Sequence, residues 1–337
     1  MSIAPSSTST TPPVWPITLE DVRAAEARIR SHLGPPTPLR EYAPLNQAVG
    51  HGIRVHVKHD NHLPTNAFKA RNALAALTAL SEEERARGVV AATRGNHGAG
   101  LAWAGQRLGT PVTICVPRGN NPEKNAAMVG HGATLVEEGA DYDEAVAIAQ
   151  RLVTTRGMTL VHSTNNPNVI AGAGTMTLEM LEQAPWLDAL VMSVGGGSQV
   201  VGALTVVRAL KPGLEVYGVQ AHNASAACDS FHAGHMVTTP TADTFADGLA
   251  TRSAYAVTFG AMKEGLEDFV TATEGELAAA VRLMIRSTHN LAEGAGAASL
   301  AGLLKLAPRL KDKRVAVVLS GSNIDQHALR RVMDGVI

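Results

Sequence analysis

Residues 88–116 read as strand, glycine turn, helix and strand, and this pattern narrows the fold more than any other feature. Val89-Val90-Ala91-Ala92 is a short apolar run of the kind that forms a strand buried on both faces. Thr93-Arg94-Gly95-Asn96-His97-Gly98 turns the chain, residues 99–108 read as a helix, and residues 112–116 as the next strand. The same unit starts again with residues 126–129, a strand over 132–136 and a helix over 141–156. Further on, the strand 190–194 runs into Gly195-Gly196-Gly197-Ser198, a helix from about 200 to 210 and a strand over 215–219. The last clear strand, 314–319, ends in Ser320-Gly321-Ser322-Asn323. Strands alternating with helices of this length predict an α/β fold with doubly wound parallel sheets.

The N-terminal stretch behaves differently. Residues 1–16 are rich in Ser, Thr and Pro and are expected to be a disordered tail, with Trp15 as a docking residue. Thr18 then caps a helix running to about residue 33, with Asp21 at the capping-box position and Gly34-Pro35-Pro36 as the stop. At 337 residues the chain has room for two domains. With 29 basic and 30 acidic residues it offers no charge excess for nucleic acid or an anionic membrane surface. Cys115 and Cys228 are too few for a disulfide framework or a Cys-rich zinc site. No apolar run is long enough to span a bilayer and no signal-peptide core is visible, so a cytoplasmic protein is expected. The last strand lies close to the C-terminus, and no C-terminal regulatory domain is expected.

Chemistry enters with Thr65-Asn66-Ala67-Phe68-Lys69-Ala70-Arg71. Residues 53–58 alternate as a strand does, and residues 72–80 read as helix, so Lys69 falls beyond a strand end and near a helix N-terminus. An amine there loses solvent and feels the positive helix end, and both effects lower its pKa and make it nucleophilic. A surface lysine on an amphipathic helix is the plainer alternative. Three other features also end strands: the 93–98 turn, the 195–198 glycines and the 320–323 turn. Ligands of open α/β sheets bind at the carboxyl ends of strands, so all four features can meet in one crevice. Consecutive glycines before a helix can present free N–H groups to a phosphate, although tight packing alone also calls for glycine. A nucleophilic lysine, an anion cradle, an Asn side chain and a Ser hydroxyl together suit pyridoxal phosphate. Lys69 would meet its aldehyde, Gly195 to Ser198 its phosphate, Asn96 its phenolic oxygen and Ser320 its ring nitrogen.

These motifs carry a resemblance. TNAFKAR resembles the lysine motif, RGNHG the Asn loop, VGGGS the phosphate loop and LSGSN the Ser turn of fold-type II pyridoxal-phosphate enzymes, in the branch of threonine/serine dehydratases and serine racemases. The order matches from about Thr37-Pro38-Leu39 to the C-terminus, and Ala246-Asp247-Gly248-Leu249 and Leu291-Ala292-Glu293-Gly294 fall where that branch has similar segments. The resemblance implies two doubly wound open sheets: a large domain from residues 17–87 and 166–337, a small one from 88–165, and the cofactor in the cleft between them. It implies Lys69 as the Schiff-base lysine that also takes the α-proton, and Phe68 packed by the ring. Asn96 would hold the phenolic oxygen, Gly195, Gly196, Gly197 and Ser198 the phosphate, and Ser320 the pyridine nitrogen, with Glu293 near the ring. Thr93, Asn96 and His97 would receive the substrate carboxylate, His97 either by its ring or through its backbone alone. The neutral Ser320 points to β-elimination from a β-hydroxy amino acid, giving a 2-oxo acid and ammonia. Members of the family are often homodimers.

Three departures matter. Arg94 stands where racemase-type members carry a serine that reprotonates the opposite face, and an arginine is a poor proton donor, so racemisation should be weak or absent. Arg94 then either binds a polar or acidic substrate tail or turns outward to solvent. Ala67 replaces a serine, and Ser198 the fourth glycine of the phosphate loop. The cation site of many relatives is represented by Gln220 and Ala226, which are not hard-cation ligands. No metal is expected at His222, Cys228, His232 and His235, whose spacing fits no zinc pattern. None is expected at His56, His59 and His62 either, because on a strand His59 points away from the other two. A nucleotide-binding oxidoreductase is a competing reading, but the spacing of Gly95, Gly98 and Gly100 departs from G-x-G-x-x-G. A catalytically silent amino-acid sensor on the same fold is another. Within the lyase reading, threonine or serine is the default substrate, with a phenylserine- or 3-hydroxyaspartate-type amino acid as the alternative.

Overall fold

The computed structural model describes residues 14–337, which form two sheets. Ten strands build them: β1 (Leu39–Glu41), β2 (Arg54–Lys58), β3 (Val89–Ala92), β4 (Val112–Val116), β5 (Thr134–Glu137), β6 (Thr159–Leu160), β7 (Ala189–Ser193), β8 (Glu215–Ala221), β9 (Asp268–Ala272) and β10 (Arg314–Val318). The larger sheet has the order β1-β2-β10-β7-β8-β9 and is parallel throughout except for β1, which pairs antiparallel with β2. The smaller sheet, β5-β4-β3-β6, is parallel throughout.

Helices cover both faces of the large sheet, so its inner strands are apolar at successive positions rather than alternating with polar ones. Leu190, Met192, Ala316 and Val318 point to one face, and Ala189, Val191, Val315 and Val317 to the other. The first face shares its core with the small sheet through Val89, Ala91, Ile114 and Val116. Helices Lys69–Thr78 and Asn96–Leu108 lie in that shared layer, and burying Leu74, Leu77 and Leu101 there contributes roughly 1.5–3 kcal/mol each. The two helices touch backbone to backbone. A Cβ on Gly100 would stand 2.8 Å from the Lys69 carbonyl oxygen, so only glycine permits this approach.

Several elements differ from the sequence expectation. The Lys69 helix starts at Lys69 itself, and the 96–108 helix starts at Asn96, so Asn96 and His97 form a first helical turn rather than a loop. The edge strands β1, β6 and β9 have no counterpart in the apolar pattern. The helix Leu19–Leu33 carries its Thr18/Asp21 capping box, and Gly34 ends it at φ 83°. Of the tail expected over residues 1–16, residues 1–13 lie outside the described residues. Trp15 donates from Nε1 to Glu264 Oε1 at 3.0 Å, with the Arg208 guanidinium 4.6 Å from its ring centroid.

Candidate active site

The carboxyl ends of β2, β7 and β10 in the large sheet and of β3 in the small sheet bring the four strand-end features together. The segment before Lys69 pairs with the turn after β10: Phe68 N donates to Ser320 O at 2.9 Å, and Ser322 N to Asn66 O at 3.0 Å. Asn66 adopts φ 54°, a left-handed turn that Asn tolerates better than most residues. Ala67, fully buried, bridges to Gly321. Lys69 opens its helix with its side chain toward the cleft, and its Nζ lies 4.7 Å from the Phe68 ring centroid. No carboxylate pairs with it among the described residues. Its neighbours are the Ser163 carbonyl oxygen at 3.4 Å and Ser198 Oγ at 3.5 Å, both long. Desolvation lowers its pKa from the usual lysine value to about 8.

Asn96 is held from both ends of its amide. Its Nδ2 donates to Glu293 Oε1 at 2.6 Å and its Oδ1 accepts from Asn323 Nδ2 at 2.8 Å. Burial raises the Glu293 carboxyl above its ordinary value. Ser320, buried, has only a long contact of 3.5 Å from its hydroxyl to Ala295 O, which leaves the hydroxyl able to serve another acceptor. Asn96 and Asn323, with Gly95, Lys124 and Ser322 among others, line a cavity of about 170 Å³; Lys69, Glu293 and Ser320 are not part of its lining. A larger groove of about 510 Å³, between helices Leu19–Leu33 and Pro167–Gln183, contains none of the candidate residues.

The glycine turn fits a phosphate. Gly197 adopts φ 97° and precedes helix Ser198–Leu210, whose first turn receives no side-chain cap. Its leading N–H groups are therefore free for an anion. A Cβ on Gly196 would overlap Thr164 Oγ1, and one on Gly195 the Gly248 carbonyl, so the close packing of these neighbours on the turn itself calls for glycine. Polar atoms nearby also lack partners: Asn72 Oδ1, three positions along the helix from Lys69, and His97 Nδ1. This donor set, with an amine near neutrality beside it, fits pyridoxal phosphate.

The other expected residues divide. Thr93 is buried and its hydroxyl accepts from Gly95 N at 3.3 Å. His97, 3% exposed, donates from Nε2 to the Val161 carbonyl at 2.8 Å, and burial reinforced by Lys69 pulls its pKa down to about 3. It is a neutral ring, not a cation. The Arg94 side chain is exposed and has no salt bridge among the described residues. The strand ends at Lys58, before His59, so the alternation expected for the three histidines fails: the His59 and His62 rings stack at 4.9 Å. His59 instead meets the Tyr42 hydroxyl at 2.8 Å, and His62 meets Asn290 at 2.6 Å. Gln220 Oε1 accepts from Ala227 N and Cys228 N, while Cys228 and His232 both reach the Phe269 carbonyl.

The cleft also contains residues the motifs did not announce. Asn72 Nδ2 reaches Ser198 Oγ at 3.4 Å, and its i+3 spacing from Lys69 was the available clue. Lys124 pairs with Asp247 across the cleft, and Thr258 donates to the Gly196 carbonyl at 2.8 Å. Thr164 packs on Gly196 from a loop after β6 that carries no sequence signature.

A family model described as pyridoxal-phosphate dependent enzyme matches residues 30–321. The chain is 36% identical over 318 residues to an L-threonine ammonia-lyase of Thermotoga maritima, covering 94% of this chain and 78% of that protein. It is 31% identical over 318 residues to an L-threo-3-hydroxyaspartate ammonia-lyase of Saccharomyces cerevisiae, covering 94% and 97%. The chain spans 58% of the length of the biosynthetic L-threonine dehydratase of Escherichia coli. Among solved structures it is similar to a serine racemase of maize, with a TM-score of 0.90 and 25% identity over 95% of this chain and 98% of the other.

Proposed function

Because this chain belongs to the pyridoxal-phosphate dependent enzyme family, we propose that it is an ammonia-lyase. It takes a β-hydroxy amino acid of the threonine or serine type, eliminates the β-hydroxyl, and releases a 2-oxo acid and ammonia. The observation that carries this reading is Lys69, an amine with a pKa lowered to about 8 that lies 3.5 Å from Ser198 at the start of an uncapped helix.

Bound pyridoxal phosphate supplies an aldehyde for that amine and an electron-withdrawing ring that acidifies an α-hydrogen. The rest falls to the chain. Lys69 Nζ takes the α-proton, a task suited to a base whose pKa is near the working pH. Gly195, Gly196, Gly197 and Ser198 would hold the phosphate through their amides. Asn96, fixed by Glu293 and Asn323, would hold the phenolic oxygen, and Phe68 would pack beside the ring. Ser320 would meet the ring nitrogen. As a neutral hydroxyl it does not hold that nitrogen protonated, which favours substrates able to expel a β-group promptly. Glu293 would lie near the ring, its carboxyl raised above the ordinary value by burial. Thr93, Asn96 and His97 receive the substrate carboxylate. With its Nε2 committed to Val161, His97 offers only the acceptor Nδ1, so its backbone N–H is the donor. Arg94 serves the far end of the substrate.

The chain acts on a small-molecule amino acid. In this proposal it works as a homodimer in the cytoplasm, with residues 17–87 and 166–337 as the large domain and 88–165 as the small one. The division is supported by β3 to β6 falling inside 88–165 and pairing only with one another. Among the described residues no helix is long and apolar enough to cross a membrane.

The test is a panel of β-hydroxy amino acids of both configurations, scored for ammonia and 2-oxo acid on cofactor-loaded protein, with a separate sample reduced by borohydride to map the bound cofactor to Lys69. Cofactor on Lys69 with no ammonia from any substrate leaves a sensor, not a lyase. A colourless protein that refuses added pyridoxal phosphate overturns both readings.

A further inference from the structure

Beside Lys69 the cleft has a second set of polar side chains that the proposed reaction leaves unused. His162 follows β6, and Tyr142 opens the helix Tyr142–Arg156 that follows β5. Both therefore stand at the carboxyl end of the small sheet, as Arg94 does after β3. Tyr255, the residue before helix Ala256–Gly265, comes from the other side of the cleft and meets the His162 ring edge to face, with centroids 5.5 Å apart. All three rings are partly buried. Ser163, next to His162, supplies the carbonyl that Lys69 Nζ touches at 3.4 Å, so the cluster adjoins the reacting amine.

The proton positions follow from the hydrogen bonds. His162 Nδ1 accepts from Thr164 N at 2.9 Å and from Asn165 N at 3.0 Å, so the ring proton sits on Nε2. Burial, with Lys69 nearby, lowers the His162 pKa and keeps the ring neutral. Burial raises both phenols, Tyr142 to about 12, so each keeps its O–H. Neither His162 Nε2–H nor the Tyr255 hydroxyl has an acceptor among the described residues, and Tyr142 has only a long bond of 3.4 Å to the Ala92 carbonyl. Three neutral donors with no good acceptor from the protein line the cleft within reach of water, so they are free to bond a ligand that enters it. At the outer edge Arg252 is neutralised by Asp143, whose carboxylate also raises both phenols, and the exposed Arg94 is the remaining positive charge.

We propose that His162, Tyr142 and Tyr255 form the subsite for the far end of the substrate side chain, and that they select a β-hydroxy amino acid bearing a second carboxylate. The methyl group of threonine would cover the three donors and satisfy none. A site built to bond a polar group discriminates strongly against an analogue that lacks it, and at about tenfold for each of the two phenol hydroxyls the expected preference in kcat/KM for 3-hydroxyaspartate over threonine is about 10²-fold. The inference rests on the ammonia-lyase reading and replaces its threonine- or serine-type substrate with one bearing a second carboxylate. The cofactor phosphate is the competing acceptor, because Thr164, two residues from His162, packs against Gly196.

The test uses the cofactor-loaded protein and the variants Tyr255→Phe, Tyr142→Phe and their double, which keep ring volume and remove only hydroxyls. The ratio of kcat/KM for 3-hydroxyaspartate to that for threonine should fall by about tenfold per hydroxyl. Succinate should compete more tightly than butyrate in the wild type and lose that advantage in the double variant, read from quenching of cofactor fluorescence. Titration of stripped protein with pyridoxal phosphate should give the same Kd for all forms. A wild type that prefers threonine, or a ratio that does not move in the variants, overturns the proposal. So does a large loss of pyridoxal-phosphate affinity with the ratio intact, which assigns the donors to the phosphate. If no β-hydroxy amino acid is turned over yet succinate still outcompetes butyrate only with the hydroxyls present, the subsite stands and the lyase reading falls.

Discussion

Lys58 and Lys69 stand at the two ends of one short connection, and the protein treats their ammonium groups in opposite ways. Lys58, fully buried at the end of β2, donates to Glu179 at 2.7 Å, to the Thr37 carbonyl at 2.8 Å and to Gln183 at 3.0 Å. Around it, Arg71 forms a fork with Asp60 (2.8 and 3.0 Å) and a second with Glu179 (2.8 Å on both arms). Two cations meet two carboxylates, and the Asp60 carboxyl, which burial alone would raise, is held below its ordinary value mainly by Arg71. Lys69 has no such company. Two residues from Arg71 on the same helix, its amine has two contacts near 3.5 Å and unpartnered polar atoms close by. A buried charge with every partner in place fixes a backbone, whereas a buried amine without partners is poised to react. Arg71 anchors the first turn of the helix on which Lys69 is presented.

The comparison can be broken by mutation. Lys69→Ala should cost at least about 10³-fold in kcat, the scale of a lost catalytic base and nucleophile, with the fold retained by circular dichroism. Arg71→Met should do the reverse in kind. It leaves Asp60 buried without its cation and Glu179 with Lys58 alone, and should lower the unfolding free energy by about 3–5 kcal/mol in denaturant titration. If the lysine variant unfolds and the arginine variant does not, the two sites have been assigned the wrong way round.

A third prediction uses pH. In cofactor-free protein the folded pKa of Lys69 is about 8, against 10.5 for a free lysine side chain. Below pH 8 both states bind the proton and the fold bears the full cost of burying the charge. Between pH 8 and 10.5 the unfolded chain still binds a proton that the folded chain has released, so stability rises with pH, by up to about 3 kcal/mol. The stability difference between Lys69→Met and wild type should therefore favour the variant at pH 7 and shrink through this window. A difference flat with pH means that the amine carries no desolvation cost.

How much of this could be read from the sequence depends on burial. Strands β3, β4, β7 and β10 were legible as apolar runs because each lies inside a parallel sheet. Strands β1, β6 and β9 lie at sheet edges, where half the contacts are missing, and the sequence need not be apolar there: Asp268 and Thr271 fall within β9. In the site, Lys69, Asn96, Gly195 to Ser198 and Ser320 were legible because local geometry constrains each one: a helix start, a glycine turn or a strand end. Lys124, His162, Thr164 and Tyr255 carry no local constraint of that kind. They reach the cleft only because the two sheets face each other, and no spacing along the chain records that arrangement. The start of the 96–108 helix was misplaced because Gly95 and Gly98 suggested a loop; Gly98 instead packs against Met128 and Thr93, where a Cβ would not fit.

The smallest effect separates the cleft from its rim. Arg94 sits one residue from Gly95 and two from Asn96, but its side chain is exposed and unpaired among the described residues, unlike Arg71. An exposed side chain contributes little to stability, so Arg94→Ala should stay within about 0.5 kcal/mol of wild type in unfolding. In its proposed role its charge would act on a substrate tail through water, which predicts a rise in KM of a few-fold rather than a loss of kcat, corresponding to about 1 kcal/mol or less. Salt should reduce that difference, because screening acts on exposed charges. The rise should be larger for a substrate with a second carboxylate than for threonine, and it should shrink between low and moderate ionic strength. Unchanged kinetics for every substrate turned over would remove Arg94 from the binding site altogether, while an effect on kcat alone would move it from the rim into the chemistry beside Lys69.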